Sequence, residues 1–186
     1  MSAADVARRI ADRLDEDGIG YAIGGALALA VWGAPRNTVD VDMSVFVDLA
    51  ELPRVVDALH RAGVIVDAGH AAADAARIGL FRGRLGRTPV DIFLSSHPHF
   101  EQISGRRRSV ADPDGTARWF ISAEDLAVVK LFYGRTKDVI DLERLFAVRQ
   151  DLDVEYIRSW IDKMVPAGDR RLSVLDDLVE RFTDPA

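Results

Sequence analysis

Cysteine is absent from this 186-residue chain. That excludes disulfides, thiolate metal sites and a cysteine nucleophile, and it is compatible with the cytosol, where the protein is expected. Lysine is nearly absent too: of 24 basic residues only Lys130, Lys137 and Lys163 are lysines. The three tryptophans, Trp32, Trp119 and Trp160, are dispersed, so each is expected in the core rather than in a base-stacking platform. A net charge of −6 excludes indiscriminate nucleic-acid binding. Long apolar runs are lacking. Residues 18 to 35 carry no charge, close to the lower limit for a membrane span, but Gly18, Gly20, Gly24, Gly25 and Gly33 interrupt them and most other side chains are alanine. A strand, a turn and a buried helix explain this stretch, and no membrane association is expected. The N-terminus carries Asp5, Arg8, Arg9 and Asp12 on an amphipathic helix with Val6, Ile10 and Leu14 inward, which is not a secretory signal.

The chain does contain a glycine pair followed by paired carboxylates. Val39 to Phe46 alternates, with Val39, Val41, Met43 and Val45 on one side and Asp40, Asp42, Ser44 and Phe46 on the other, the period of a half-buried strand. On such a strand Asp40 and Asp42 point the same way, about 6 to 7 Å apart at the backbone. Carboxylates that close repel each other unless a divalent cation lies between them, and magnesium favours such oxygen ligands together with substrate phosphates. Taken alone, Asp-x-Asp reads equally as the solvated face of an amphipathic strand. Gly24-Gly25 adds to it. Tyr21-Ala22-Ile23 reads as a short strand and Ala26 to Trp32 as a helix starting directly after the glycines. That helix start offers free N–H groups to an anion, and the glycines let backbone approach closely.

Together, Ile23-Gly24-Gly25 and Asp40-Val41-Asp42 resemble the signature of the nucleotidyltransferase superfamily related to DNA polymerase beta, a hydrophobic residue, Gly-Gly or Gly-Ser, and an acid-hydrophobic-acid strand. The family places a third carboxylate on a neighbouring strand, and Thr88-Pro89-Val90-Asp91-Ile92-Phe93-Leu94 supplies one in Asp91. Lys130 to Leu142, with Gly134-Arg135-Thr136-Lys137-Asp138 and Asp141, is similar to a block in the AbiEii-like and MenT-like toxins of bacterial toxin–antitoxin pairs. Two of the three lysines fall inside it; solvated charges on a helix pair are the alternative. Two departures stand out: Gly25 replaces the serine of many relatives, and Asp42-Met43-Ser44 replaces the commoner aspartate-leucine ending.

The resemblance implies an α+β nucleotidyltransferase fold, a small mixed β-sheet flanked by helices. Residues 1–121 would form the core with the metal site, and 122–186 a C-terminal helical region packing on it. It also implies transfer of a nucleoside monophosphate from a nucleoside triphosphate, with release of pyrophosphate. Asp40, Asp42 and Asp91 would hold two magnesium ions, with manganese as a substitute. Gly24, Gly25, Arg36 and Thr38 would bind the nucleotide. Lys130, with Arg135 or Lys137, would offset charge on the leaving group. Asp138 and Asp141 would orient those cations, or Asp138 would reach the acceptor. The first acceptor in view is the 3′ end of transfer RNA. The alternatives are a small hydroxylated molecule, as in aminoglycoside-modifying relatives, a protein acceptor, or a non-catalytic nucleotide-binding module. An antitoxin partner would follow from the toxin reading, and a kinase antitoxin would find a target in Thr38, where phosphate adds about −1.5 to −2 charge beside the carboxylates.

Elsewhere, Leu52 to Ala62 reads as a helix with Leu52, Val55, Val56 and Leu59 inward, followed by a Val64-Ile65-Val66 strand. Ile78 to Phe81 and Val90 to Leu94 read as a hairpin around an arginine-rich turn. Ser122-Ala123-Glu124-Asp125 is a capping signal for the helix bearing Lys130, and two or three helices follow. Residues 77 to 108 hold seven arginines, Arg77, Arg82, Arg84, Arg87, Arg106, Arg107 and Arg108, against Asp91 and Glu101. They are either a basic strip for a phosphate backbone or a pair of solvated loops. His97-Pro98-His99 lacks a third ligand at a metal-site spacing and reads as a turn with exposed imidazoles.

Overall fold

In the computed structural model the described residues are 1–94, 97–112 and 115–182. They fall into two units, one formed by Met1–Leu27 and Asn37–Ile121, the other by Ala28–Arg36 and the chain from Ser122 onward.

The first unit is built on one mixed sheet. Its strands are β1 (Tyr21–Ile23), β2 (Val41–Val45), β3 (Leu80–Leu85), β4 (Thr88–Leu94), β5 (Arg108–Ala111) and β6 (Ala117–Phe120), in the spatial order β3-β4-β2-β1-β6-β5. β2 runs parallel to β4 and β1 parallel to β6, and the remaining pairs are antiparallel. On β2, Val41, Met43 and Val45 are fully buried while Asp42 and Ser44 are only half-buried. Val90, Ile92 and Leu94 continue the same apolar face on β4. Helix α1 (Ala3–Glu16) buries Val6, Ile10 and Leu14 and packs on β1, β2 and α3 (Leu52–Arg61), which buries Leu52, Val55, Val56 and Leu59. Burial of such aliphatic faces, about 1.5–3 kcal/mol for each large side chain, is the main force holding helices to sheet.

Several expectations need correction. The strand does not reach back to Val39, which is 77% exposed; Asp40 precedes β2 and Phe46 follows it. Val64 to Val66 is not a strand but a single bridge, Ile65 opposite Arg84, with Val64 and Val66 buried. Gly83 makes that approach feasible, since a Cβ there would lie 2.8 Å from Val64 Cγ1 and 2.9 Å from Val66 Cγ2. A helix not read from the sequence, α4 (Ala68–Ile78), packs on β3, capped by Asp67 accepting from the His70 N–H. Ile78 therefore ends a helix and is half-exposed, and the hairpin turns at Gly86-Arg87, so Arg82 and Arg84 lie within β3. His97 is exposed, but His99 opens α5 (His99–Arg106) and is buried.

The second unit is helical. α6 (Ala123–Tyr133) starts at Ser122, whose hydroxyl accepts from the Asp125 N–H as the capping signal requires. It packs with α7 (Thr136–Val148), α8 (Val154–Met164) and α9 (Arg170–Phe182). Leu126, Leu131, Leu142, Leu145, Phe146, Ile157, Ile161 and Leu175 make its core. The short helix α2 (Gly25–Val31) contributes its residues from Ala28 onward to this unit.

The tryptophans are not core residues. Each is half-buried beneath a cation: Arg107 stands 4.7 Å from the Trp119 ring centroid, Lys163 4.5 Å from Trp160 and Arg149 5.4 Å from Trp32. Cation–π attraction holds the polar group over the ring. Among the described residues no helix is long and apolar enough to cross a membrane.

Candidate functional site

Parallel pairing of β2 with β4 sets Asp42 directly beside Asp91. Paired residues on adjacent strands share a face, and strands lie about 4.8 Å apart. Both carboxylates therefore stand side by side on the face opposite Val41, Met43, Val90 and Ile92.

Gly24 and Gly25 close the site from the neighbouring strand. β1 pairs antiparallel with β2, and just past it the Gly24 N–H donates to the Asp42 carbonyl at 2.9 Å. Gly25 then takes φ +55°, a left-handed conformation that L side chains rarely adopt. A Cβ on Gly25 would lie 2.7 Å from Asp42 Cγ and 3.0 Å from Asp42 Cβ, with Oδ2 closer still. Only a bare backbone fits against this carboxylate.

Asp40 sits at the entrance of β2, and its carboxylate accepts from the Thr38 hydroxyl, which also accepts from the Asp40 N–H at 3.4 Å. Thr38 is thus locked onto the carboxylate nearest to it. Asp91 accepts from Arg82 Nε at 3.3 Å, across the β3–β4 register. Arg82 is 73% exposed, so the pair contributes only about 0–1 kcal/mol and exchanges readily. Sequence reasoning missed this contact, although counting back from a two-residue turn at Gly86-Arg87 pairs position 82 with 91.

No three His, Asp or Glu side chains among the described residues converge as a metal cluster. The chemistry of the donor set nevertheless suits a hard cation. It offers carboxylate oxygens only, on two register-matched strands, beside a glycine cradle that a Cβ would fill.

The remaining predicted residues belong to the second unit. Lys130 is buried, with Nζ 2.6 Å from Asp141 Oδ2 and 3.8 Å from Asp138 Oδ1. Arg36 Nε donates to the other Asp141 oxygen at 2.8 Å. Burial pushes the Asp141 carboxyl up, but the hydrogen bonds from Arg36 and Lys130 and the charge of both cations outweigh it and hold it below its ordinary range. Arg135 Nε lies 2.6 Å from Asp138 Oδ2, and Asp138 also accepts from the Arg135 backbone N–H at 3.2 Å. Asp138 and Asp141 therefore hold cations in place. Lys137 is exposed.

The seven arginines between 77 and 108 do not form one strip. Arg82, Arg84 and Arg87 belong to the β3 edge of the sheet and Arg108 to β5 at the opposite edge. Arg77 pairs with Asp74 at 2.9 Å, and Arg107 is held over Phe46 and Trp119.

No protein-family model matches the chain, and no curated protein is similar to it in sequence. Its fold is that of the nucleotidyltransferases. The antibiotic-resistance factor ANT(2″)-Ia aligns with a TM-score of 0.60 at 14% identity, over 97% of this chain and all of that one. A crystal structure of ANT(2″)-Ia holds adenylyl-2″-tobramycin. The lincosamide antibiotic adenylyltransferase LnuA, bound to lincomycin, aligns at 0.53 and 13% identity, over 79% of this chain and 98% of that one. A candidate nucleotidyltransferase of Thermotoga maritima, TM1012, aligns at 0.51 and 16% identity, over 88% and 96% respectively.

Proposed function

We propose that this protein transfers a nucleoside monophosphate from a nucleoside triphosphate to a hydroxyl group of a small molecule. The observation that carries the reading is the close fit of the Gly25 backbone against Asp42, with Asp91 beside it on the next strand. Asp40, Asp42 and Asp91 would hold magnesium, which when bound supplies charge neutralisation for the phosphates and acidifies an acceptor hydroxyl. Rotation of Asp40 away from Thr38 and of Asp91 away from Arg82 would free both carboxylates for that task.

The chain's own residues supply the rest. Gly24 and Gly25 lead into the N-terminus of α2, where backbone N–H groups can face phosphate oxygens without an intervening side chain. The acceptor oxygen attacks the α-phosphorus, the bond to the bridging oxygen breaks, and pyrophosphate leaves. Asp91 would also assist in removing the hydroxyl proton.

Two findings favour a small acceptor over RNA. The arginines that would grip a phosphate backbone are split between opposite sheet edges and partly spent on ion pairs and stacking. Two structural neighbours act on aminoglycoside or lincosamide antibiotics, small molecules rich in hydroxyls.

The test is to incubate the protein with magnesium and each labelled nucleoside triphosphate in turn, presenting a panel of aminoglycosides, lincosamides and other polyols beside total RNA. Label on a small molecule, lost by at least about a hundredfold in Asp42→Ala, is the expected result. Label on transfer RNA alone would overturn the acceptor, and no pyrophosphate release with any acceptor would overturn transfer itself.

A further inference from the structure

Across the sheet of the first unit the residues of the site stand in a line. Gly24 and Gly25 follow β1, Asp42 is on β2, Asp91 on β4 and Arg82 on β3, and these four strands are consecutive neighbours. Register sets Asp42 beside Asp91 and Asp91 beside Arg82, so the three side chains share one face of the sheet. Arg84, two residues further along β3, shares it too. With the triphosphate at the glycine end and the acceptor hydroxyl beside Asp91, the rest of the acceptor extends toward β3.

That end of the sheet is basic. Residues 80 to 94, which make β3, the turn and β4, hold Arg82, Arg84 and Arg87 against one carboxylate, Asp91. Arg82 is 73% exposed and holds Asp91 by one hydrogen bond of 3.3 Å, a contact that a cation on Asp91 would displace. Arg84 Nη1 donates to the Gly86 carbonyl at 3.3 Å, a neutral partner. No other carboxylate pairs with Arg82, Arg84 or Arg87 among the described residues. An ammonium group arriving here meets like charge, whereas a phosphate or carboxylate meets guanidinium forks that match its oxygens.

We propose that Arg82 and Arg84 are specificity-determining residues, selecting an acceptor that carries a phosphate or carboxylate one to two strand spacings, roughly 5–10 Å, from the hydroxyl that is modified. The inference rests on the transfer reading above and narrows its acceptor from small hydroxylated molecules to anionic ones, which excludes the cationic aminoglycosides. The reaction is unchanged: the acceptor oxygen exchanges its proton for the nucleoside monophosphate, and pyrophosphate leaves.

One sugar in three charge states tests it. Glucose, glucose 6-phosphate, glucuronate and glucosamine are titrated by NMR into the protein with magnesium and each α,β-methylene nucleoside triphosphate in turn, so that binding is read without turnover. At least one anionic sugar should bind about tenfold more tightly than glucose, with glucosamine weaker than either; the tighter of the two anions names the group. Arg82→Gln/Arg84→Gln should bring the anionic sugars to within about twofold of glucose. Arg82→Glu/Arg84→Glu should invert the order, which a merely structural role for these side chains would not do. Arg144→Gln, on the exposed surface of α7, should leave the ratio unchanged, and thermal melting confirms that each variant is folded. Glucosamine ranking at or above the anions, no saturable binding of either anion in the millimolar range, or a preference that survives the double glutamine variant would overturn the proposal. Pyrophosphate release with the natural nucleotides is followed separately. Charge-ranked binding without release under any acceptor refutes transfer and leaves the anion selection standing, while release with label only on neutral or cationic acceptors, or on RNA alone, refutes the selection and leaves transfer standing.

Discussion

Replacing Gly25 by alanine perturbs two separable things. The first is backbone: at φ +55° an L residue carries roughly 1–2 kcal/mol of strain. The second is contact, because the new methyl group would fall 2.7 Å from Asp42 Cγ and 3.0 Å from Asp42 Cβ, distances that nothing tolerates without movement. Asp42 lies in the middle of the sheet, paired to β1 on one side and β4 on the other, so its backbone cannot yield and its carboxylate must swing away. We expect a loss of about 2–3 kcal/mol, read as a fall in Tm of about 4–12 °C for a chain of this size, and loss of any activity that uses Asp42. The neighbour provides the control. A Cβ on Gly24 meets the Asp42 carbonyl oxygen at 3.7 Å and Asp42 Cβ at 3.8 Å, ordinary contact, so Gly24→Ala should fold nearly as well as the native chain. Combining Gly25→Ala with Asp42→Gly should recover the contact part of the loss and leave the strain, a coupling that thermal or urea unfolding of the four proteins measures. If Gly25→Ala melts with the native protein, or Gly24→Ala is the more damaged of the two, the proposed packing of glycine against carboxylate is wrong.

Lys130→Ala leaves Asp141 and Asp138 buried with one cation fewer and should cost about 3 kcal/mol, a Tm lower by about 6–12 °C in differential scanning calorimetry. Gly83→Ala places a methyl group against Val64, Val66 and the Ile65 carbonyl; about 1–3 kcal/mol of overpacking is expected, measured by urea denaturation. The Asp141 carboxyl lies below its ordinary value of 3.8 in the folded protein, so the stability it adds is complete above that pH and disappears as pH falls through the folded value. Asp141→Asn should therefore be less stable than the native chain at neutral pH, with the gap closing below about pH 4 in unfolding curves taken across the acid range.

Much of the fold was legible because period and capping agreed. The stretch from Val41 to Val45 alternates between buried and half-buried positions, α1 and α3 carry one apolar stripe each, and Ser122 caps α6 with the side-chain bond that its position announces. The failures have physical causes. Val39 continues the alternation but lies outside the strand, since a two-residue period says nothing about where pairing partners end. The α4 helix was hidden by Ala68-Gly69-His70-Ala71-Ala72-Ala73, whose small side chains give little amphipathic contrast; only Ala71 and Ala75 are buried. Val64 to Val66 has strand composition without a ladder, because Gly83 lets one bridge suffice.

At the site, what was local in sequence was readable and what depended on sheet order was not. The glycine pair and the acid-hydrophobic-acid strand announce themselves by spacing, and Asp91 by the apolar strand it opens. The side-by-side placement of Asp42 and Asp91 comes from parallel pairing between strands 49 residues apart in the β2–β4 register, which no short-range pattern encodes. The same topology undoes the arginine strip. Arg82, Arg84 and Arg87 cluster with Arg106, Arg107 and Arg108 in sequence, yet β4, β2, β1 and β6 stand between β3 and β5. A run of like charge along a chain predicts a binding surface only when the elements carrying it become neighbours. Here the arginines that do converge come from α1, α3 and β6, more than a hundred residues apart at the extremes, and they converge on a cavity rather than a strip. Closely placed guanidinium groups repel, so such a cluster persists only where carboxylates or a bound anion offset it. Asp12 and Asp112 do this for Arg118 and Arg8, Asp17 for Arg61 and Glu16 for Arg13.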